Sequence, residues 1–129
     1  MIELAIFGAG RIGQVHAENA AAQPSVRLKY IVDPIASEAR DTLAARTGAR
    51  LVDADTVFAD ARLNGIIIAS STDTHADLLL RCAEVGKAVF CEKPVSLDFA
   101  TVRHVTERVE ASGIACLLGF QRRYDANFR

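Results

Sequence analysis

The chain has 129 residues, the size of one ordinary domain, enough to bury a core and with little room for a second. Half of the residues are hydrophobic and the formal net charge is -1. That balance excludes a disordered chain, a strongly basic nucleic-acid surface and an acidic tail, and it points to a small-molecule partner. The N-terminal MIELAIF lacks the basic flank and long apolar stretch of a secretory signal, and no apolar segment approaches the roughly 20 residues that span a bilayer. A cytoplasmic protein with no membrane contact is the expectation. Cys82, Cys91 and Cys116 are odd in number and show no Cys-x-x-Cys spacing, which argues against a disulfide framework and against a metal site. They are expected to be small, buried, reduced side chains.

Apolar runs and helical patterns alternate along the chain. Ile2 to Phe7 reads as a strand, Arg11 to about Ala22 as a helix, and Leu28 to Val32 as a second strand ending at Asp33. Pro34 suits the first turn of a helix through Ile35, Ala39 and Leu43 that stops at Gly48. A short strand near Arg50 to Val52 and a weak helical turn at Thr56 to Ala59 follow. Gly65 to Ala69 is a β-branched run without polar alternation, as in a strand covered on both faces. Ala76, Leu79, Leu80 and Ala83 then form one apolar helical stripe ending at Gly86. Ala88 to Cys91 is the fifth strand. Ser96 can cap a helix burying Phe99, Val102, Val105 and Val109 and closed by Gly113, and Ala115 to Leu118 is the sixth strand. This alternation implies parallel βαβ units with right-handed crossovers, and a doubly wound α/β sheet of strand order 3-2-1-4-5-6 over residues 1–129 is the economical solution.

The segment IFGAGRIGQVH (residues 6–16) places glycines between the first strand and the first helix. In a dinucleotide-binding turn Gly8 would permit the tight bend, Gly10 would admit a pyrophosphate to the backbone, and Gly13 would let the helix pack on the sheet. The unpaired amides of Arg11, Ile12 and Gly13 and roughly half a positive charge at the helix start would face the anion. The spacing alone also fits a turn that binds nothing, but Asp33 follows at the end of the second strand, 20 positions beyond Gly13. A carboxylate there can accept from both ribose hydroxyls and would repel a 2′-phosphate, which favours NAD over NADP. It can also cap a helix beginning at Pro34. No adjacent arginine offers a counter-charge for a phosphate, and the absence of Gly-Lys-Ser/Thr after the glycines removes the phosphate-loop nucleotidases. An S-adenosylmethionine methyltransferase is disfavoured because no antiparallel hairpin follows residue 118.

In such a sheet the loops after strands four, five and six meet the ligand. They read Ser70-Ser71-Thr72-Asp73-Thr74-His75, Glu92-Lys93-Pro94 and Gly119 to Asp125. Together, GAGRIG, STDTHADL, CEKPVSLD and GFQRRYDANF resemble the N-terminal domain of the glucose-fructose oxidoreductase and inositol dehydrogenase (Gfo/Idh/MocA) family. Glu-Lys-Pro in combination with GFQRRYD is most similar to its myo-inositol 2-dehydrogenases. The resemblance covers essentially the whole chain.

It implies an NAD-dependent oxidoreductase acting on a cyclic polyol or sugar, in which Lys93 sits beside the nicotinamide and polarises the reacting oxygen. Pro94 biases Lys93 toward an extended backbone. Ser70, Ser71 and Thr72 would lie under the nicotinamide end. Glu92 would contact the cofactor or pair with Lys93. His75 would stand close to the active site, or else serve as a cap or surface residue. Arg122 would meet substrate hydroxyls, and Arg123 would be solvated or touch a second domain. His16 and His104 read as helix-face residues without chemistry. The family carries a second, substrate-binding domain that supplies an aspartate and a histidine as proton relay and through which the enzymes form homo-oligomers. No residue here matches that pair, so this chain alone would bind NAD and turn over polyols poorly. A standalone, non-catalytic dinucleotide module is the alternative, against which Glu-Lys-Pro speaks because a sensor has no use for it.

Overall fold

The computed structural model describes residues 1–128. Six strands, β1 (Ile2–Phe7), β2 (Val26–Val32), β3 (Arg50–Leu51), β4 (Gly65–Ile68), β5 (Ala88–Cys91) and β6 (Cys116–Leu118), form one sheet. Its order is β3-β2-β1-β4-β5-β6, and every pairing is parallel. Five helices alternate with them: α1 (Arg11–Ala21), α2 (Glu38–Thr47), α3 (Ala54–Ala59), α4 (Thr72–Val85) and α5 (Phe99–Ser112). Two 3-10 turns, Gln121–Tyr124 and Ala126–Phe128, follow β6. No helix among the described residues is long and apolar enough to cross a membrane.

Side-chain alternation along the strands divides the interior in two. Ile6 and Ile31 pack with Ala17 of α1 and Leu43 of α2 on one face. Phe7, Ile66 and Ile68 pack with Leu79 and Cys82 of α4 and Val105 of α5 on the other. Ile66 and Ile68 are buried on that face while Ile67 is partly buried on the opposite one, as an apolar run without alternation requires. The helices α2, α4 and α5 end where expected, with Gly48, Gly86 and Gly113 in the left-handed conformation.

Several helix starts depart from expectation. No helix begins at Pro34. The Ile35 amide turns back to the Asp33 carboxylate, and α2 starts only after Ser37, whose hydroxyl accepts the Arg40 N–H. Ser96 does not cap α5. Its hydroxyl accepts the Asp98 N–H, and Asp98 caps the helix by accepting both the amide and the hydroxyl of Thr101. Phe99 therefore lies in the first turn, before the helix reaches the sheet, and is exposed. The weak turn at Thr56 is the end of a helix capped by Asp53. The stripe of α4 is rotated from Ala76 and Leu80, which are partly buried, to His75, Leu78, Leu79 and Cys82. Of the cysteines, Cys82 and Cys91 are buried, and burial pushes both thiols up to about 12. Cys116 is exposed, contrary to expectation, because the described helices leave that face of the edge strand β6 open.

A polar cluster lies apart from the glycine turn. Lys29, buried on β2, donates to Glu3 (2.8 Å) and pairs with Asp60 (2.6 Å). The Tyr30 hydroxyl donates to the same Asp60 carboxylate, and buried Lys87 donates to the carbonyls of Asp60 and Leu63. The Lys29 ammonium, by its hydrogen bonds, holds both carboxyls below their ordinary values of 4.5 for Glu3 and 3.8 for Asp60. Groups with depressed folded-state values contribute stability that is present above the unfolded values and lost as pH falls through the folded ones. Urea unfolding from pH 7 to 3 is therefore expected to show the midpoint falling below about pH 4. In Asp60→Asn the midpoint should be lower at pH 7 and the acid decline shallower.

Candidate functional site

The chain leaves β1 in a turn seated on both neighbouring strands. The Gly8 N–H donates to Val32 O of β2 (2.9 Å), and the Ala69 N–H, just past β4, donates to Phe7 O (2.8 Å). Gly8 has φ +97°, and a Cβ on it would lie 2.5 Å from Ala69 O. A Cβ on Gly13 would lie 2.1 Å from Gly8 O, so α1 can start this close to the turn only with glycine there. Gly10 differs. Its backbone (φ -74°, ψ -169°) is open to any residue, and a Cβ would meet nothing within 4 Å. The fold does not demand glycine at 10, and its bareness clears the approach to the first amides of α1. Those amides lack a side-chain cap, and the first turn carries no acidic residue. They remain free for an anion, at the positive end of the helix.

Asp33 closes the other side. Its Oδ2 accepts the Ala9 N–H (2.8 Å) and its Oδ1 accepts the Ile35 N–H (3.0 Å). The carboxylate is thereby tied to the glycine turn rather than to a helix at Pro34, and each oxygen retains acceptor capacity for a hydroxyl. The expectation of no arginine nearby is corrected. The first turn of α2 folds back so that Arg40 donates to the Asp33 carbonyl (3.1 Å) while also bonding Asp41 (3.0 Å). Exposed Arg11 lines a shallow depression with Asp33, Gln14 and Ser37.

A crevice of about 640 Å3 runs along the carboxyl ends of the strands and brings together Gly8, Gly10, Asp33, Ser70 and Ser71. Val52, Asp53 and Ala54 from the β3–α3 turn, with Thr74 and Leu78 of α4, complete its wall. Sequence reasoning missed this wall, since a two-residue strand leaves almost no periodic signal. The position of that turn at the carboxyl end of a strand was the one available clue. The Ser70 and Thr74 hydroxyls bond each other at 2.7 Å, and Thr74 donates to Ser71 O. Thr72 opens α4 and Ile12 lies half-exposed on α1. Neither lines the crevice.

Of the remaining predicted residues, Glu92, Lys93 and Arg122 follow β5 and β6, and His75 lies in α4. Glu92 follows β5, its N–H donating to Ile68 O. Its carboxylate bonds His16 Nε2 at 2.6 Å and not Lys93, which corrects the expected pairing. His16 reaches it because α1 crosses that end of β5, with its ring against Phe90. Lys93 is exposed, and the Lys93–Pro94 peptide is cis. His75 is neither a surface residue nor a cap. It is 1% exposed, with Nδ1 2.7 Å from Pro94 O and Nε2 2.9 Å from Ser70 O, and so lies behind the crevice rather than in it. Arg122 stacks on Phe128 (4.8 Å) and Arg123 on Phe120 (5.3 Å) in the exposed segment after β6.

A parallel doubly wound sheet, a glycine turn opening α1 and an acid at the end of β2 together define a dinucleotide-binding Rossmann domain. The chain belongs to the Gfo/Idh/MocA oxidoreductase family, whose NAD-binding Rossmann-fold model matches residues 2–120. It is 39% identical to the inositol 2-dehydrogenase of Rhizobium meliloti, over 98% of this chain and 38% of that protein. Among solved structures it is similar to a myo-inositol dehydrogenase from Corynebacterium glutamicum (44% identity, TM-score 0.88, 98% of this chain and 38% of that one). A scyllo-inositol dehydrogenase from Lactobacillus casei, solved with NAD(H) and scyllo-inositol, also matches (27% identity, TM-score 0.88, 98% and 38%). The chain thus spans less than two fifths of the length of the curated relatives it matches.

Gly13 and Gly10 are expected to separate on substitution. Gly13→Ala should lower stability by ~1–3 kcal/mol through overpacking. Gly10→Ala should cost at most ~1 kcal/mol of stability yet weaken NAD binding about tenfold or more, as read by urea unfolding and calorimetry on the same samples.

Proposed function

We propose that residues 1–129 hold the cofactor in an NAD-dependent dehydrogenase that oxidises a secondary alcohol of a cyclic polyol, myo-inositol being the favoured substrate. The observation that carries this reading is Gly10, a glycine that the fold leaves free to bear a side chain and that only a ligand approaching the α1 amides requires to be bare. The polyol class is supported by the relatives, several of which are inositol dehydrogenases.

The amides of Arg11, Ile12 and Gly13 hold the pyrophosphate, and Asp33 accepts the adenosine ribose hydroxyls from a seat already fixed by Ala9 and Ile35. Ser70 and Ser71 support the nicotinamide end, and Thr72, which does not line the crevice, is left without that role. When bound, the nicotinamide supplies the hydride acceptor. Lys93 donates a hydrogen bond to the substrate oxygen that loses its proton, favouring the charge that develops there. Glu92 is held on His16 and leaves the Lys93 ammonium unpaired for that task. Arg122 presents a planar set of donors to the polyol hydroxyls. In the complete enzyme, the proton relay and the homo-oligomer contacts come from a second domain, in keeping with the length of the relatives.

Calorimetric titration of the folded chain tests this reading. NAD should bind and NADP should bind more weakly. Asp33→Ala should lose roughly tenfold to a hundredfold in NAD affinity, the size of one charge-assisted hydrogen bond, and narrow the gap to NADP. The chain alone should oxidise myo-inositol negligibly. Folded protein that gives no heat with NAD would overturn the assignment.

A further inference from the structure

Lys93 stands between two residues that are each gripped by a histidine, one from either face of the sheet. From the α1 face, His16 bonds the Glu92 carboxylate at 2.6 Å and lies against the Phe90 ring, centroids 4.9 Å apart. The other carboxylate oxygen is seated against Gly119, where a Cβ would come within 3.0 Å of it. From the α4 face, His75 reaches the Pro94 carbonyl with one ring nitrogen and the Ser70 carbonyl with the other. It thereby joins the loop that carries Lys93 to the loop that lines the crevice.

Packing alone does not account for these choices. At 1% exposure an imidazole surrenders its hydration, which an apolar side chain of similar volume would not do. What the ring obtains in exchange are contacts to the backbone of two separate loops. A neutral ring donates to one of the two carbonyls and a protonated ring to both. Lys93 itself makes none of these contacts, and a four-carbon side chain on an exposed loop loses its rotamer freedom only if its backbone is held. The third histidine of the chain, His104, is exposed on α5.

We propose that His16 and His75 are positioning residues that clamp Glu92-Lys93-Pro94 from the two faces of the sheet and so aim the Lys93 ammonium along the edge of the crevice. The inference rests on the reading of Lys93 as the lysine that meets the reacting oxygen. It assigns His16 a task in place of an idle helix face, and it makes His75 a strut between loops in place of a cofactor ligand.

The chain supplies its own probe. Of its three lysines, Lys29 and Lys87 are buried in the polar cluster and Lys93 alone is exposed. Reductive methylation with 13C-formaldehyde therefore places NMR labels at Lys93 and at the exposed Met1 α-amine, and the Lys93 signal is identified by its loss in Lys93→Arg. In His16→Ala and His75→Ala the label is expected to move toward the position of a free surface lysine, and its displacement by NADH should shrink. Gln at either position retains an N–H and should restore part of both effects, while His104→Ala should change neither. Should His75→Ala fail to fold by circular dichroism, His16→Ala and His75→Gln read the same signal. Folded His16 and His75 variants with a wild-type Lys93 signal, with and without NADH, would overturn the clamp. A wild-type signal that NADH does not move counts against the nucleotide reading instead, and the ligand-free signals still decide whether the histidines hold Lys93.

Discussion

The fit of α1 against the turn leaving β1 is the constraint from which the rest of the site follows. Gly13 lies so close to Gly8 O that one extra carbon would collide, and Gly8 is itself pressed on Ala69 at the end of β4. Helix and turn are thereby locked to the junction of the three central strands. Once α1 begins there, its uncapped amides lie at the carboxyl edge of the sheet, and the Asp33 carboxylate at the end of β2 is tied to the same turn through the Ala9 N–H. In the proposed reading the pyrophosphate and ribose of the dinucleotide meet a backbone and a carboxylate already held by the turn, which lowers the ordering cost of binding.

Stability and ligand handling are separated along the strands. Charged groups inside the fold, Lys29, Asp60, Glu3 and Lys87, are matched with one another and with carbonyls, as burial of charge requires. At the crevice the groups left with spare capacity are those facing open space, namely the α1 amides and the outer lone pairs of Asp33. The arrangement follows the rule that ligands of open α/β sheets lie beyond the carboxyl ends of the strands. Loops there can vary in chemistry because the strands beneath them carry the packing.

The exposed segment after β6 belongs to the same edge. Phe120, Tyr124 and Phe128 are solvent-facing, with Arg122 and Arg123 stacked on their own aromatic neighbours. Its short 3-10 turns make few contacts with the sheet. The aim of Arg122 is accordingly set by local stacking on Phe128.

What the amino-acid sequence determined by itself is whatever depends on neighbours in the chain. Glycine spacing, the 20-residue interval to Asp33, the apolar run of β4 and the helix-ending glycines are local patterns, and they led to the sheet order and the main elements of the site. Helix starts were less legible at Ser37 and Asp98 because each has a second candidate cap a few residues before it, Asp33 and Ser96, and which one accepts the helix amide depends on how the loop is drawn to the sheet. The partners of Glu92 and His75 were not legible at all. His16 and Glu92 are 76 positions apart and His75 and Pro94 are 19 apart, and both pairs meet because parallel strands bring consecutive loops to one edge while helices press from both faces. Only the tertiary structure could decide those contacts, since a side chain's hydrogen-bonding partner in a folded interior is set by proximity in space and not by spacing along the chain.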